Sequence, residues 1–272
     1  MTVSHPVQFS NPPVNEVVCG VTFATSKQLK SVSLIPLWKT LEKEFPEIDE
    51  APPLPQVIEP PVGAAQQHHV QFNLGVPSLR TWLRSADKRT LIQVQPDRFL
   101  LNWKKANPSD NYHSFKEVYA EFEKRYAQFL KFLTGLGFGP IQYKQFEVSY
   151  INLIGAENGL KDGGENRVLV DHTRDATRQR FLPDPSGLHW STSYLLPEGQ
   201  GRLHILAQGP IDAIGEKKMR LDLIARGISK DQSDAGRTAW FDMAHTWITH
   251  GFADSTAKTL HETYWKRTHN AC

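Results

Sequence analysis

Three side chains of the types used for proton transfer recur in one stretch of the chain: Tyr194, His204 and Asp222. If the runs that carry them pair as adjacent strands with all three on one face, Asp222 would fix the tautomer of His204 and raise its pKa. That would prepare the imidazole for general acid or base work beside the phenol, with Arg220 and Trp190 nearby. The competing reading is a cross-strand ladder on an exposed sheet face, and a one-residue slip in register dissolves the row.

A second set has the chemistry of binding. Between Arg80 and Lys104 two turn signals, Ala86-Asp87-Lys88 and Gln95-Pro96-Asp97-Arg98, separate three β-like runs and predict an antiparallel meander. Alternation puts Leu83, Ile92, Val94, Phe99, Leu101 and Trp103 on a core face. Pairing Arg84 with Arg89 and Gln95 with Arg98 then gathers Arg80, Arg84, Arg89, Arg98 and Lys104 around Trp82, with Gln93, Gln95 and Asn102 between them. Guanidinium contacts and aromatic stacking on a sheet can hold single-stranded nucleic acid or an acidic protein surface. The plain alternatives are the solvated face of an antiparallel sheet, or a face covered by the rest of the chain.

Other motifs fail on spacing. Gly135-Leu136-Gly137-Phe138-Gly139 closes a predicted helix instead of opening one, so it is a stop and not a dinucleotide loop. The chain has no G-x-x-x-x-G-K-[ST] and no G-x-S-x-G. His261-Glu262 begins like a zinc-peptidase helix, but Trp265 stands where the second histidine is needed. His245 and His250 are five apart and leave a common helical face; with His68 and His69 they read as surface or capping residues. Asp171, His172, Arg174, Asp175, Arg178 and Arg180 crowd one polar loop that reads as solvated, with a phosphate site as the sharper alternative. No metal site and no cofactor are expected.

The elements that must position these residues follow from periodicity. A buried strand is expected over Val14 to Phe23, then a helix capped by Ser33 and striped by Leu34, Leu37, Trp38, Leu41 and Phe45, stopped at Pro46. Glu50 to Pro61 holds five prolines and predicts an extended connection. After the meander, Ser114 with Glu117 forms a capping box for a helix striped by Phe115, Val118, Phe122, Tyr126, Phe129 and Leu133. The order then repeats: a strand through Phe146, Val148 and Tyr150, a polar loop, a meander, and a helix from about Arg237 to Phe252. The second core face is expected to hold Leu195, Leu203, Ile205, Met219, Leu221 and Leu223. The fold class is therefore α+β, with two related halves over 1–139 and 140–272, each an antiparallel β-meander followed by a long amphipathic helix, forming two domains or one pseudo-duplicated domain.

Composition bounds the function classes. The chain has 272 residues, 39% of them hydrophobic and 22% charged, which suffices for a self-supporting core. Thirty-one Lys and Arg against 29 Asp and Glu give +2, so a polyanion would need a local patch. Two cysteines, Cys19 and Cys272, supply no disulfide framework and suit a reducing compartment. The N-terminus lacks a basic region followed by an apolar run, so a cytoplasmic protein without membrane association is expected.

The blocks N-P-P-V-N-E-V-V-C-G-V-T-F (Asn11 to Phe23), R-T-W-L (Arg80 to Leu83), Q-V-Q-P-D-R-F-L-L-N-W-K (Gln93 to Lys104), E-V-S-Y-I-N-L-I (Glu147 to Ile154) and A-H-T-W-I-T-H-G-F-A-D (Ala244 to Asp254) span most of the chain. In these the sequence resembles a sporadically distributed family of uncharacterised bacterial proteins. Asn102, Trp103, Tyr150 and Asn152 stand at its motif positions. The resemblance carries no reaction or catalytic residue. It implies an accessory role, in mobile or phage-defence gene clusters, with a partner protein encoded nearby. The expected function is a non-catalytic binding or scaffold component docking a protein partner or nucleic acid. The alternative is an enzyme or small-ligand-binding protein with a cleft between the halves.

Overall fold

Val17, Cys19, Val21 and Phe23 are alternate residues of one run, and all four side chains are buried, as expected of a strand with one face in the core. In the computed structural model, which describes residues 5–24, 29–61, 79–107, 110–112, 114–160, 167–170, 181, 186–213 and 216–269, this run lies in the middle of a large sheet. The elements are β1 (Gln8–Phe9), β2 (Val14–Phe23), α1 (Ile35–Leu41), β3 (Glu47–Ala51), β4 (Arg80–Arg84), β5 (Thr90–Gln95), β6 (Arg98–Lys104), α2 (Phe115–Gly135), β7 (Tyr143–Ile154), β8 (Leu188–Leu195), β9 (Gly201–Ala213), β10 (Glu216–Gly227), α3 (Asp234–Ser255) and β11 (Arg267–His269). Nine strands form one sheet in the order β3-β4-β5-β6-β2-β7-β10-β9-β8, antiparallel at every pairing, and β1 pairs with β11 apart from it.

The helices cover one face, and aromatic rings fill the space beneath. Phe99 of β6 stacks on Phe129 of α2 at 5.0 Å, Phe122 of α2 meets Phe241 of α3 at 5.3 Å, and Trp240 of α3 lies 5.6 Å from Phe146 of β7. The mixed α+β class expected from periodicity is the one found. The six predicted core residues of the first meander are all buried. Gln95 faces Arg98 as expected, whereas Arg84 faces Leu91 and not Arg89. That shift is two residues, so the faces are unchanged. Ser114 caps α2, its Oγ accepting from the Glu117 amide at 3.3 Å, and Gly137 ends the helix region at φ +80.

Several expectations are corrected. Ser33 does not cap α1: the cap position is Leu34, without a side-chain bond, and Pro36 in the first turn starts the helix. Strand β3 takes the residues between the expected helix and connection together with Glu50 and Ala51, the first two of the expected connection, and forms one edge of the sheet. Leu195 is 51% exposed, and its neighbour Leu196 takes the buried position at 2%. The cause is register. The turn after β8 places Leu195 opposite Arg202, so the odd residues of β8 face away from the helices. His68, His69, Cys272 and the group Asp171, His172, Arg174, Asp175, Arg178 and Arg180 lie outside the described residues. No described helix is long and apolar enough to cross a membrane.

Candidate functional site: an apolar cavity with a neutral hydrogen-bonded row

The same register separates the acid–base row. Tyr194 pairs with Leu203 and points to the helix side, while His204 pairs with Ser193 and Ile224 on the other. Asp222 is two residues further along β10, opposite Leu206, with both carboxylate oxygens 2.9 Å from Arg220 Nε. His204 instead meets Ser193 Oγ through Nδ1 at 2.7 Å and Glu59 Oε1 through Nε2 at 2.6 Å. The three residues do not form a constellation.

The binding residues of the first meander do share a face, but acids meet them, Asp97 from the meander's own turn and Asp110 and Asp49 from outside it. Arg89 pairs with Asp110 at 2.7 Å, Arg98 with Asp97 at 3.1 Å, and Arg84 approaches Asp49 at 3.9 Å. Trp82 lies between two guanidinium groups, Arg80 at 5.1 Å and Arg84 at 5.0 Å from its ring centre. From its indole a hydrogen-bonded line runs across the sheet: Trp82 Nε1 donates to Gln93 Oε1, Gln93 Nε2 to Asn102 Oδ1, and Asn102 Nδ2 to Glu16 Oε1. Gln93, Arg98 and Asn102 are buried; Lys104 is exposed.

The proline-bearing connection runs over this same face as a strap. The Leu54 amide donates to Gln95 Oε1 at 3.0 Å, and Gln95 Nε2 returns a bond to Leu54 O at 3.2 Å. Pro55 O accepts from Arg98. Gln145 of β7 repeats the arrangement, accepting from the Glu59 amide and donating to Val57 O, both at 2.8 Å. Glu59 then sets its carboxylate between Arg202 Nη1 and His204 Nε2. Burial opposes its ionisation, yet the bond from His204 and the cations around it hold its pKa below the ordinary value.

On the helix face is a cavity of about 410 Å³. Its walls come from β2, β7 and β10 of the sheet, from the start of α2, from α3, and from the segment around β1 that pairs with β11. Phe9, Val14, Phe115, Leu223, Ile248 and Phe252 make it largely apolar. Through it runs a row of polar atoms: Tyr112 Oη lies 2.8 Å from Tyr150 Oη, which lies 3.1 Å from His245 Nδ1. The His245 ring stacks on Phe115 at 4.2 Å between centroids.

Electrostatics keep this row uncharged. Burial lowers the His245 pKa to about 4 and pushes both phenols up, far from neutral pH. A neutral row has two hydrogen arrangements. With protons running from Tyr112 toward His245, the imidazole presents Nε2–H as a donor; reversed, Tyr112 presents the donor and Nε2 the acceptor. The row can therefore match a ligand carbonyl or a ligand hydroxyl by a shift of tautomer.

Sequence reasoning read His245 as a surface or capping residue, gave Phe115 only a place on the apolar stripe of α2, and did not single out Tyr112. The available signals were the blocks E-V-S-Y-I-N-L-I and A-H-T-W-I-T-H-G-F-A-D, which carry Tyr150 and His245. Nothing in local spacing links residues 112, 150 and 245. Among the described residues no three His, Cys, Asp or Glu side chains gather as metal ligands would. No protein-family model and no curated protein matches the chain.

Proposed function

We propose that this chain is a small-ligand-binding protein whose site is the cavity on the helix face, and that its ligand is an uncharged, mostly apolar molecule with a polar group at one point. The observation that carries this is the neutral Tyr112–Tyr150–His245 row inside a largely apolar cavity whose remaining polar lining, Gln8, Ser10, Ser114, Asn152, Thr249 and Thr268, is also uncharged. The volume falls within the range of about 300–1,000 Å³ typical of small-molecule sites, and few, fixed polar groups in an apolar wall are their usual design. An ionised ligand would have to shed its hydration with no opposite charge in the row to receive it. The test is native mass spectrometry of protein purified from its own host. A bound small molecule, lost in a Tyr150→Phe/His245→Phe double variant that still folds, supports the reading; equal occupancy in the variant refutes it.

The cavity is bounded by residues from both sides of position 139, which fits a cleft between related halves. Supporting that architecture, β2 and β7 lie side by side at the sheet centre, and each also pairs with the last strand of its own meander, β6 or β10. Each meander is followed by a long helix, α2 or α3.

Docking a protein partner or nucleic acid through the first meander has less support, because Arg89 and Arg98 are engaged by acids. It would rest on Arg80, Trp82, Arg84 and Lys104. Under that reading Arg80→Gln/Arg84→Gln would weaken binding and flatten its salt dependence. An accessory role in a mobile or phage-defence cluster, implied by the family resemblance, is tested by co-purification with the products of adjoining genes. A reducing, cytoplasmic setting belongs to the same proposal and suits the buried free thiol of Cys19.

A further inference from the structure

The strap is held to the open face of the sheet by a pattern of contacts that belongs to peptide recognition. Gln95 and Gln145 each accept from a backbone N–H and donate to a backbone C=O of the extended segment. A carboxamide used in this way reads extended backbone whatever the side chains. Arg98 adds a fifth backbone bond, to Pro55 O, and Arg202 a sixth, to Pro60 O at 2.7 Å. One side chain is read by charge: the Glu59 carboxylate, 8% exposed, enters between Arg202 and His204.

We propose that the track Gln95–Arg98–Gln145–Arg202–His204 is a docking site for an extended, proline-bearing peptide with a glutamate, and that residues 54–60 of this chain occupy it as an internal stand-in. Three observations favour exchange over permanent cover. Val57 and Ile58 remain 47% and 43% exposed, so apolar burial contributes little to the hold. The hydrophobic core lies on the opposite face and does not depend on the strap. The hydrogen bonds and ion pairs that hold the strap are ones an incoming peptide of the same chemistry reproduces. Prolines lower the ordering cost of such a ligand by holding it extended beforehand. The site is on the other side of the sheet from the cavity and rests on different residues, so either can fail without the other.

The internal segment competes at an effective concentration on the order of millimolar, so the free track must be exposed to be measured. A full-length variant with residues 54–60 replaced by a Gly-Ser stretch of equal length provides it. Fluorescence anisotropy is read with a labelled synthetic peptide of the sequence of residues 51–61. Saturable binding is expected, tighter than to the unaltered protein by about tenfold or more, and weakened about tenfold by Glu→Gln at the position of Glu59 or by Arg202→Gln in the protein. A folded replacement variant that binds no peptide overturns the proposal. If that variant does not fold, hydrogen exchange of the unaltered protein decides. The Leu54 and Glu59 amides should exchange by local opening, ahead of the β2 and β7 amides, and faster with excess peptide. Exchange of all of them together, only on global unfolding, overturns it equally.

Discussion

The two faces of the sheet are held by different physics. Toward the helices, Phe99, Phe122, Phe129, Phe146 and Phe241 are at most 1% exposed and touch ring to ring. Away from them, the sheet is covered by amides, ion pairs and an extended segment whose Val57 and Ile58 side chains stay wet. The first face gains from the removal of apolar surface from water, which needs no particular partner. The second gains from directional bonds, each of which needs one atom in one place. Stability should therefore concentrate on the helix face and exchange on the other.

The largest expected effect breaks the helix face. Phe122 is 0% exposed and stacks on Tyr126 with 6° between the rings. Phe122→Ala should cost about 3–5 kcal/mol in denaturant unfolding, the usual range for an emptied phenyl site. A loss below about 1 kcal/mol would mean the site collapses or is not core.

The next effect separates buried imidazoles from solvated ones. His245 and His261 have folded pKa values lowered to about 4 by burial, with Arg267 and Lys258 adding to the effect at His261. The unfolded chain titrates near the ordinary histidine value of about 6.5, so between those values it binds more protons than the folded one. Their contribution is complete above about pH 6.5 and is lost as pH falls toward 4, on the order of 1–2 kcal/mol per histidine by pH 5. Chemical denaturation at pH 7 and pH 5 measures it. His261→Gln should flatten the slope, and an unchanged slope would place that ring in contact with water.

A smaller effect is expected on the strap. Glu59→Gln removes the charge set between Arg202 and His204 but keeps a similar shape. Stability should fall by about 1–2 kcal/mol, and hydrogen exchange should quicken at the Glu59 amide without reaching β2. Acceleration that spreads into β2 and β7 would make the strap part of the cooperative core.

The contrast between faces also explains what the sequence disclosed. The apolar run through Val17, Val18, Val21 and Phe23 announces a buried strand, and the Ser114 cap announces α2. The strap's partners lie 41 residues away for Leu54 with Gln95, 86 for Glu59 with Gln145 and 145 for Glu59 with His204. No local pattern encodes such pairings. The acid–base row failed for a related reason: the turn after β8 sets the register, and one residue of slip moved Tyr194 to the opposite face. The cavity row was hidden because Tyr112, Tyr150 and His245 come from three elements whose packing, and not whose spacing, brings them together.

If the helix-face cavity binds an uncharged apolar molecule, filling the cavity with a larger side chain must displace it. Ile248 lines it from α3, and Ile248→Trp adds a ring where the ligand would sit. An apolar fluorescent probe such as aminoanthracene is titrated into the wild-type protein and this variant, with melting followed in parallel to show that both fold. Saturable binding at one site in the wild type, weakened by about tenfold or more in the variant, is the expected result. Equal affinity for the two folded proteins would contradict the assignment.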